Sequence, residues 1–360
     1  MILCALIHEQ EYTERITSSS LRTEQVDQLR FIRDVEYTGR IIVNTTEGFV
    51  ERFCLNHTGY SFRRRVEFVQ QEVRQPRVLK TADPEWYKLW HLNGEISPSM
   101  QINEAWNSGY TGRGIMIAIL DDGLQTDHPD LVSNVDIVND YDYVDDDNNP
   151  KPSYRRSHGT KVAGLIAAEK DNNECIVGVA RHSSIVGVRL LGSHGLTDSE
   201  EAQAPNHQIN VIDIYSNSWG PPEGFGFYGP KTLTKEALKA GAQNGRNGKG
   251  AIYIWTAGNG GTIDNCNADG YVNSIYTVAI TSVQLGQNAY HSEVCAPALA
   301  ATYGGSKEDR YLTTTSTTDE CNTNGNQGTS FSVPIASGII ALALQAKYVY
   351  MISAYQGHRE

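Results

Sequence analysis

From residue 115 onward, short unbroken apolar runs alternate with stretches of helical texture. Ile115-Met116-Ile117-Ala118-Ile119-Leu120 is continuous and apolar and is stopped by Asp121-Asp122-Gly123. A run of that length without polar alternation predicts a strand buried on both faces. Ser184-Ile185-Val186-Gly187-Val188-Arg189-Leu190-Leu191 and Ala251-Ile252-Tyr253-Ile254-Trp255 predict two more. Helical stretches lie between them, from Lys161 to Lys170 and from Lys235 to Asn244, and a last apolar helix is predicted from Ser332 to about Gln345. Buried strands alternating with helices predict an α/β domain on a largely parallel sheet. Ahead of this, from about Arg40 to Val78, brief apolar stretches alternate with basic ones, Arg63-Arg64-Arg65 and Arg74-Gln75-Pro76-Arg77. Residues 347–360 have no evident place in a core.

A chain of 360 residues exceeds one ordinary domain, so a large core with a smaller appendage is expected. No apolar run approaches the 18 or so residues that a membrane-spanning helix needs. The net charge of -12 is unevenly placed. Residues 1–80 carry twelve Lys and Arg against eleven Asp and Glu, whereas 81–360 carry eighteen against thirty-one, a net of -13. So acidic a body disfavours nucleic acid and suits cationic ligands. The six cysteines show no C-x-x-C spacing, which argues against zinc. Four lie in the acidic part, Cys175, Cys266, Cys295 and Cys321, and could be bridged in an oxidising compartment or be buried thiols. The opening Ile2–Ile7 run is shorter than a signal-peptide core, and the sequons at Asn44 and Asn56 are compatible with secretion without requiring it.

In open α/β sheets, chemistry collects at the carboxyl ends of strands and the amino ends of helices. Asp121 ends the first apolar run; alone, it would be a turn or cap residue. His158 lies in Ser157-His158-Gly159-Thr160, where small residues let a helix pack closely, and alone it would be structural. Ser330, in Gly328-Thr329-Ser330-Phe331-Ser332-Val333-Pro334, precedes the apolar helix, where a cap serine is the default. Gly328 permits a tight turn there, and Pro334 is expected to fall in the first helical turn. Asn259, in Trp255-Thr256-Ala257-Gly258-Asn259-Gly260-Gly261, follows another strand, as a turn Asn would. Together they are far more specific. Asp, His and Ser fall in the chain order of subtilisin, each at a strand end or helix start.

These motifs, with Ile119-Leu120-Asp121-Asp122-Gly123-Leu124 and Ser216-Asn217-Ser218-Trp219-Gly220-Pro221, resemble the kexin/furin proprotein convertases from about Trp86 to Gln345 and more loosely back to Arg40. The resemblance implies a subtilisin-like three-layer α/β domain over 78–346, preceded by a small α+β propeptide over 1–77. It leaves 347–360 as an atypical tail in place of the family's β-rich P domain, which is expected to be absent. It implies a calcium-dependent serine endopeptidase of the secretory pathway, either Golgi, vesicle or secreted, that cuts precursor proteins after Arg or Lys. Ser330 would attack, His158 would carry the proton, Asp121 would orient the imidazole, and Asn259 would donate to the oxyanion. Asp269 and Glu223 would hold the basic residue before the cut, Glu223 standing where the family has Asp. Ser218, Trp219 and Gly220 would line the cleft, Asp122 would face the next substrate residue, and Glu201 with Tyr271 a more distant one. Arg155 and Tyr228 stand where acidic residues are usual, so the requirement for paired basic residues is expected to weaken.

The same resemblance places one Ca²⁺ at Asp83, Asp130 and Asn172, a second at Glu223, Asp264 and Glu293, and a third at Asp142, Asp147 and Asn149, all oxygen donors of the kind calcium takes. It pairs Cys175 with Cys321 and Cys266 with Cys295. Arg74-Gln75-Pro76-Arg77 looks like a furin-type site, so the chain is expected to cut itself after Arg77. Its own propeptide would remain as inhibitor until a second cut at Arg65. No membrane anchor is visible. Two readings compete with this one: a catalytically weak or inert truncated relative that binds or inhibits, and a degradative subtilisin of broad taste, which Asp122, Glu223 and Asp269 disfavour.

Overall fold

A computed structural model describes residues 29–30, 41–43, 69–71, 83–224 and 226–346. The chain divides into two compact units, Met1–Val78 and Leu79–Glu360. In the first, β1 (Leu29–Arg30) pairs antiparallel with β2 (Ile41–Val43), which pairs parallel with β3 (Val69–Gln71). Arg65, Arg77 and residues 347–360 lie outside the described residues.

The second unit is built on eight strands: β4 (Met116–Asp121), β5 (Tyr141–Asp142), β6 (Ser184–Arg189), β7 (Ile214–Asn217), β8 (Ile252–Thr256), β9 (Thr277–Gln284), β10 (Gln287–Asn288) and β11 (Ala300–Tyr303). Their order is β10-β9-β8-β7-β4-β6-β5, with β11 also on β9. Every pairing is parallel except β9 with β10. A separate hairpin joins β12 (Leu312–Ser316) to β13 (Glu320–Asn326). Among the described residues the α-helices are α1 (Ile102–Asn107), α2 (His158–Ala167), α3 (Asp198–Glu201), α4 (Thr232–Gly248) and α5 (Thr329–Gln345).

Alternate strand residues point to opposite faces, and here each face has its own core. Ile117, Ile119, Ile254 and Ile280 pack with Leu165 and Ile166 of α2 and Val333 and Leu342 of α5. Ala118, Leu120, Tyr253 and Trp255 pack on the other side with Leu238 of α4. Helices on both faces of a mostly parallel sheet make the three layers that the apolar runs predict. Parallel register also gathers the strand ends: Leu120 lies beside Asn217, and Asn217 beside Trp255. The loops that follow β4, β7 and β8 therefore open on one rim.

The two helices that reach this rim begin three residues earlier than their apolar patterns predict. For α5 this moves Pro334 out of the first turn and into the helix interior. Proline has no N–H to give the carbonyl four residues back, which belongs to Ser330. The Ser218 hydroxyl donates to that carbonyl instead, at 2.8 Å.

Candidate active site

Asp121, the last residue of β4, is 1% exposed. The His158 Nδ1 lies 2.8 and 2.9 Å from its two carboxylate oxygens, so one carboxylate fixes both the plane of the ring and the nitrogen that carries its proton. Docking the start of α2 this closely on β4 requires glycine: a Cβ at Gly159 would sit 2.2 Å from the Gly123 carbonyl oxygen. The second aspartate of the pair supports the same residue. Asp122 is buried and accepts from the N–H groups of His158 (3.3 Å) and Gly159 (2.8 Å), capping α2 with a negative charge at its positive end. Burial pushes the Asp122 carboxyl up, with Asp121 adding to it, although the two backbone donors oppose this. Burial of His158 disfavours its charge, but Asp121 and then Asp122 outweigh that and hold its pKa above the ordinary imidazole value.

Ser330 is the second residue of α5, after the N-cap Gly328 at φ +134°. Its hydroxyl donates to the Ser218 carbonyl at 3.1 Å, reciprocating the Ser218 bond to its own carbonyl. Among the described residues the imidazole's other nitrogen has no partner. Phe331, next to the serine, meets that ring edge-on with centroids 5.8 Å apart, so the helix start and the imidazole are in contact. A resting serine often engages its base only when substrate arrives. Asn259 is held by its oxygen, which accepts from the Thr329 N–H (2.8 Å) and hydroxyl (3.0 Å). Its NH₂ is left as the free end, without a partner among the described residues. The Ser330 N–H, one of the unpaired donors at a helix start, completes a pair of donors suited to a developing oxyanion.

Beside the serine lies an acidic cleft lined by Ser218, Trp219, Gly220, Glu223, Asn259, Asp269 and Ser330. Asp269 is anchored by the N–H groups of Tyr271 (2.6 Å) and Val272 (3.3 Å). Its other oxygen faces Gly220, where a Cβ would lie 3.3 Å away. Burial, with Glu223 and Asp264 adding repulsion, pushes the Asp269 carboxyl up to about 6. A bound cation would reverse that. Glu223 accepts from the Asn259 N–H at 2.8 Å, tying the acidic cleft to the oxyanion donor. Glu201 accepts from the Tyr271 hydroxyl at 2.6 Å, and Tyr271 stacks on Trp255 at 4.7 Å. Arg155 is exposed and lies over the Tyr154 ring, 5.2 Å from its centroid.

The carboxylate oxygens of Glu223, Asp264 and Glu293 lie within 4.8 Å of one another. Burial and the bond to Glu223 push Glu293 up to about 8. Such crowding of acids fits a divalent cation. Asp83 and Asp130 are both buried, and Asp130, pushed by burial to about 7, accepts from Asn172 Nδ2 at 2.9 Å, while the Asn172 N–H donates to Asp83 at 3.2 Å. This set also fits an oxygen-liganded ion. At the third set a side-chain cation already stands where an ion was expected. Arg189 bonds Asp142 and Asp145, each at 2.5 Å, and Asp147 accepts from the Asn149 N–H. Both disulfides form, Cys175–Cys321 and Cys266–Cys295. No helix among the described residues is long and apolar enough to cross a membrane.

The subtilase family model matches residues 112–356. Over 315 residues the chain is 42% identical to proprotein convertase subtilisin/kexin type 4 of Homo sapiens, covering 83% of this chain and 42% of that one. It is 42% identical to furin of Rattus norvegicus over 294 residues, 78% of this chain and 37% of that one. The chain thus spans about two fifths of the length of these relatives. Among solved structures, the serine protease of Aeromonas sobria superposes with a TM-score of 0.68 at 22% identity, over 78% of this chain and 57% of that one. A Pseudoalteromonas arctica protease superposes at 0.63 and 25% identity, over 77% and 90%.

Proposed function

Since the chain belongs to the subtilase family and is kexin/furin-like in sequence, we propose that it is a calcium-dependent serine endopeptidase that cleaves precursor proteins after a basic residue. The observation that carries this reading is the Asp121–His158 pair on the same rim as Ser330 and the acidic cleft. On substrate binding the Ser330 hydroxyl leaves the Ser218 carbonyl and passes its proton to His158. The oxygen attacks the carbonyl carbon that follows the basic side chain. Asp121 stabilises the imidazolium, and the Asn259 amide with the Ser330 N–H receives the oxyanion. His158 then gives the proton to the leaving amine. An Arg or Lys seated between Asp269 and Glu223 neutralises carboxyls that are costly to leave unpaired, roughly 2–5 kcal/mol.

Ca²⁺ at the Glu223–Asp264–Glu293 set would neutralise the acids behind this cleft, and at the Asp83–Asp130–Asn172 set would brace the 169–176 loop. The two disulfides favour an oxidising, secretory setting. We further read residues 1–77 as a propeptide released by self-cleavage after Arg77. A fluorogenic Arg peptide tests the enzyme: cleavage in Ca²⁺ is expected, and Ser330→Ala is expected to lose at least about 10⁴-fold and to remain a single uncut chain. No cleavage by the native chain would favour the binding or inhibitory reading, to which the serine's bond to Ser218 already lends some support.

A further inference from the structure

Large apolar side chains stand in solvent next to residues of the acidic cleft. Phe227 is 88% exposed and Tyr228 54%. Gly224 and Tyr228 are each tied to one of the cleft's own acids. The Gly224 N–H donates to Asp264 at 2.5 Å. Tyr228 pairs with Asp269 as an isolated parallel bridge, with the Tyr228 N–H on the Ala268 carbonyl (3.2 Å) and the Gly270 N–H on the Tyr228 carbonyl (2.6 Å). Two more exposed apolar side chains flank the remaining carboxylates: Ile263 (85%) precedes Asp264, and Val294 (63%), whose backbone pairs with Asn265, follows Glu293. Two adjacent aromatic groups left in water beside a polar cleft mark a binding surface.

We infer that Phe227 and Tyr228 determine specificity, forming with Ile263 and Val294 an aromatic and aliphatic rim that binds apolar side chains flanking the substrate's basic residue. This rests on the proposed protease reading and names its substrate class: a polypeptide with one cation set among apolar neighbours. A membrane is the other surface such residues could meet. Asp269, which lines the cleft and lies outside the proposed Ca²⁺ set, keeps its charge for a cationic side chain, so the charge selects the peptide.

The test compares kcat/KM for peptides with a single Arg flanked on either side by Leu and Phe or by Ser and Asn, using the native chain and the double variant Phe227→Ser, Tyr228→Ser. Both residues are exposed, so the variant keeps its core. The native chain is expected to favour the apolar flanks about tenfold, mainly through KM, and the variant to bring that ratio near one. An unchanged ratio in the variant, or no preference in the native chain, overturns the inference. So does a loss of binding to phosphatidylcholine vesicles in the variant without any change in peptide preference. Anisotropy binding of the same peptides to Ser330→Ala, with and without the double change, separates the two readings. If nothing is cleaved the protease reading falls, while the binding ratio still decides the rim.

Discussion

At His158 burial and charge pull in opposite directions, and the two aspartates prevail. A general base must be neutral, so activity rises with pH as the imidazole loses its proton. A raised pKa moves that rise upward: the acid limb of kcat/KM is expected above the ordinary imidazole value of 6.5. Asp122→Asn removes one of the charges that raise it and is expected to move the limb down, as a pH–rate profile would show. Asn259→Ala leaves the ring untouched and deletes one oxyanion donor, so kcat should fall about 10²–10³-fold with little change in KM. By the resemblance Arg155 stands where an acidic residue would meet the second basic side chain, so Lys-Arg and Ala-Arg peptides are expected to be cut at similar rates; a large advantage for Lys-Arg in kcat/KM would refute this. These residues were legible because their chemistry is written in their type and position. Ser218 was not legible as a partner of the nucleophile. Its hydroxyl matters because Pro334, 116 positions on, strips the Ser330 carbonyl of its helical donor.

Among the elements, β4, β6 and β8 announced themselves as unbroken apolar runs, whereas β7 was invisible although it lies at the centre of the sheet. Its four residues include Ser216 and Asn217, both fully buried, which pair most of their polarity internally: the Ser337 hydroxyl donates to Ser216 at 3.0 Å, and the Asn217 NH₂ donates to the Tyr215 and Ile254 carbonyls, while the Asn217 Oδ1 has no partner among the described residues. Buried polarity that pairs in space leaves no mark in a one-dimensional pattern. The early starts of α2 and α5 escaped for a related reason, since each helix begins in polar residues held by another strand's loop. Ser218→Ala cuts the side-chain bond between the loop after β7 and the start of α5. It should cost about 1 kcal/mol of stability, read from denaturant unfolding, and several-fold in kcat. The Cys266–Cys295 bridge joins the segment bearing Asp264 and Asp269 to the one bearing Glu293, closing a loop of separation 29. Replacing both cysteines by Ser should cost about 3–4 kcal/mol on the chain-entropy argument and weaken Arg-peptide binding more than it weakens turnover.

For the whole second unit, acidity and metal are one subject. Carboxylates crowded at Glu223, Asp264 and Glu293 repel one another until a cation joins them, and burial, with Asp83 adding to it, pushes the Asp130 carboxyl up. Saturating Ca²⁺ at about a hundredfold over its dissociation constant would add about 2.7 kcal/mol per site. Removing it by chelation should therefore lower the melting temperature by roughly 5–10 °C in a unit of this size, measured on Ser330→Ala so that self-digestion plays no part. The three-layer plan also sets an order of events on the ribosome. The strand that ends in Asp121 and the helix that starts at His158 emerge first, but the nucleophile rides on α5, which is packed against the same core and leaves the tunnel last among the described elements. A nascent chain therefore holds its acid and base long before it can hold its hydroxyl beside them, and the ribosome-bound polypeptide is inert toward itself and its neighbours until that helix is seated.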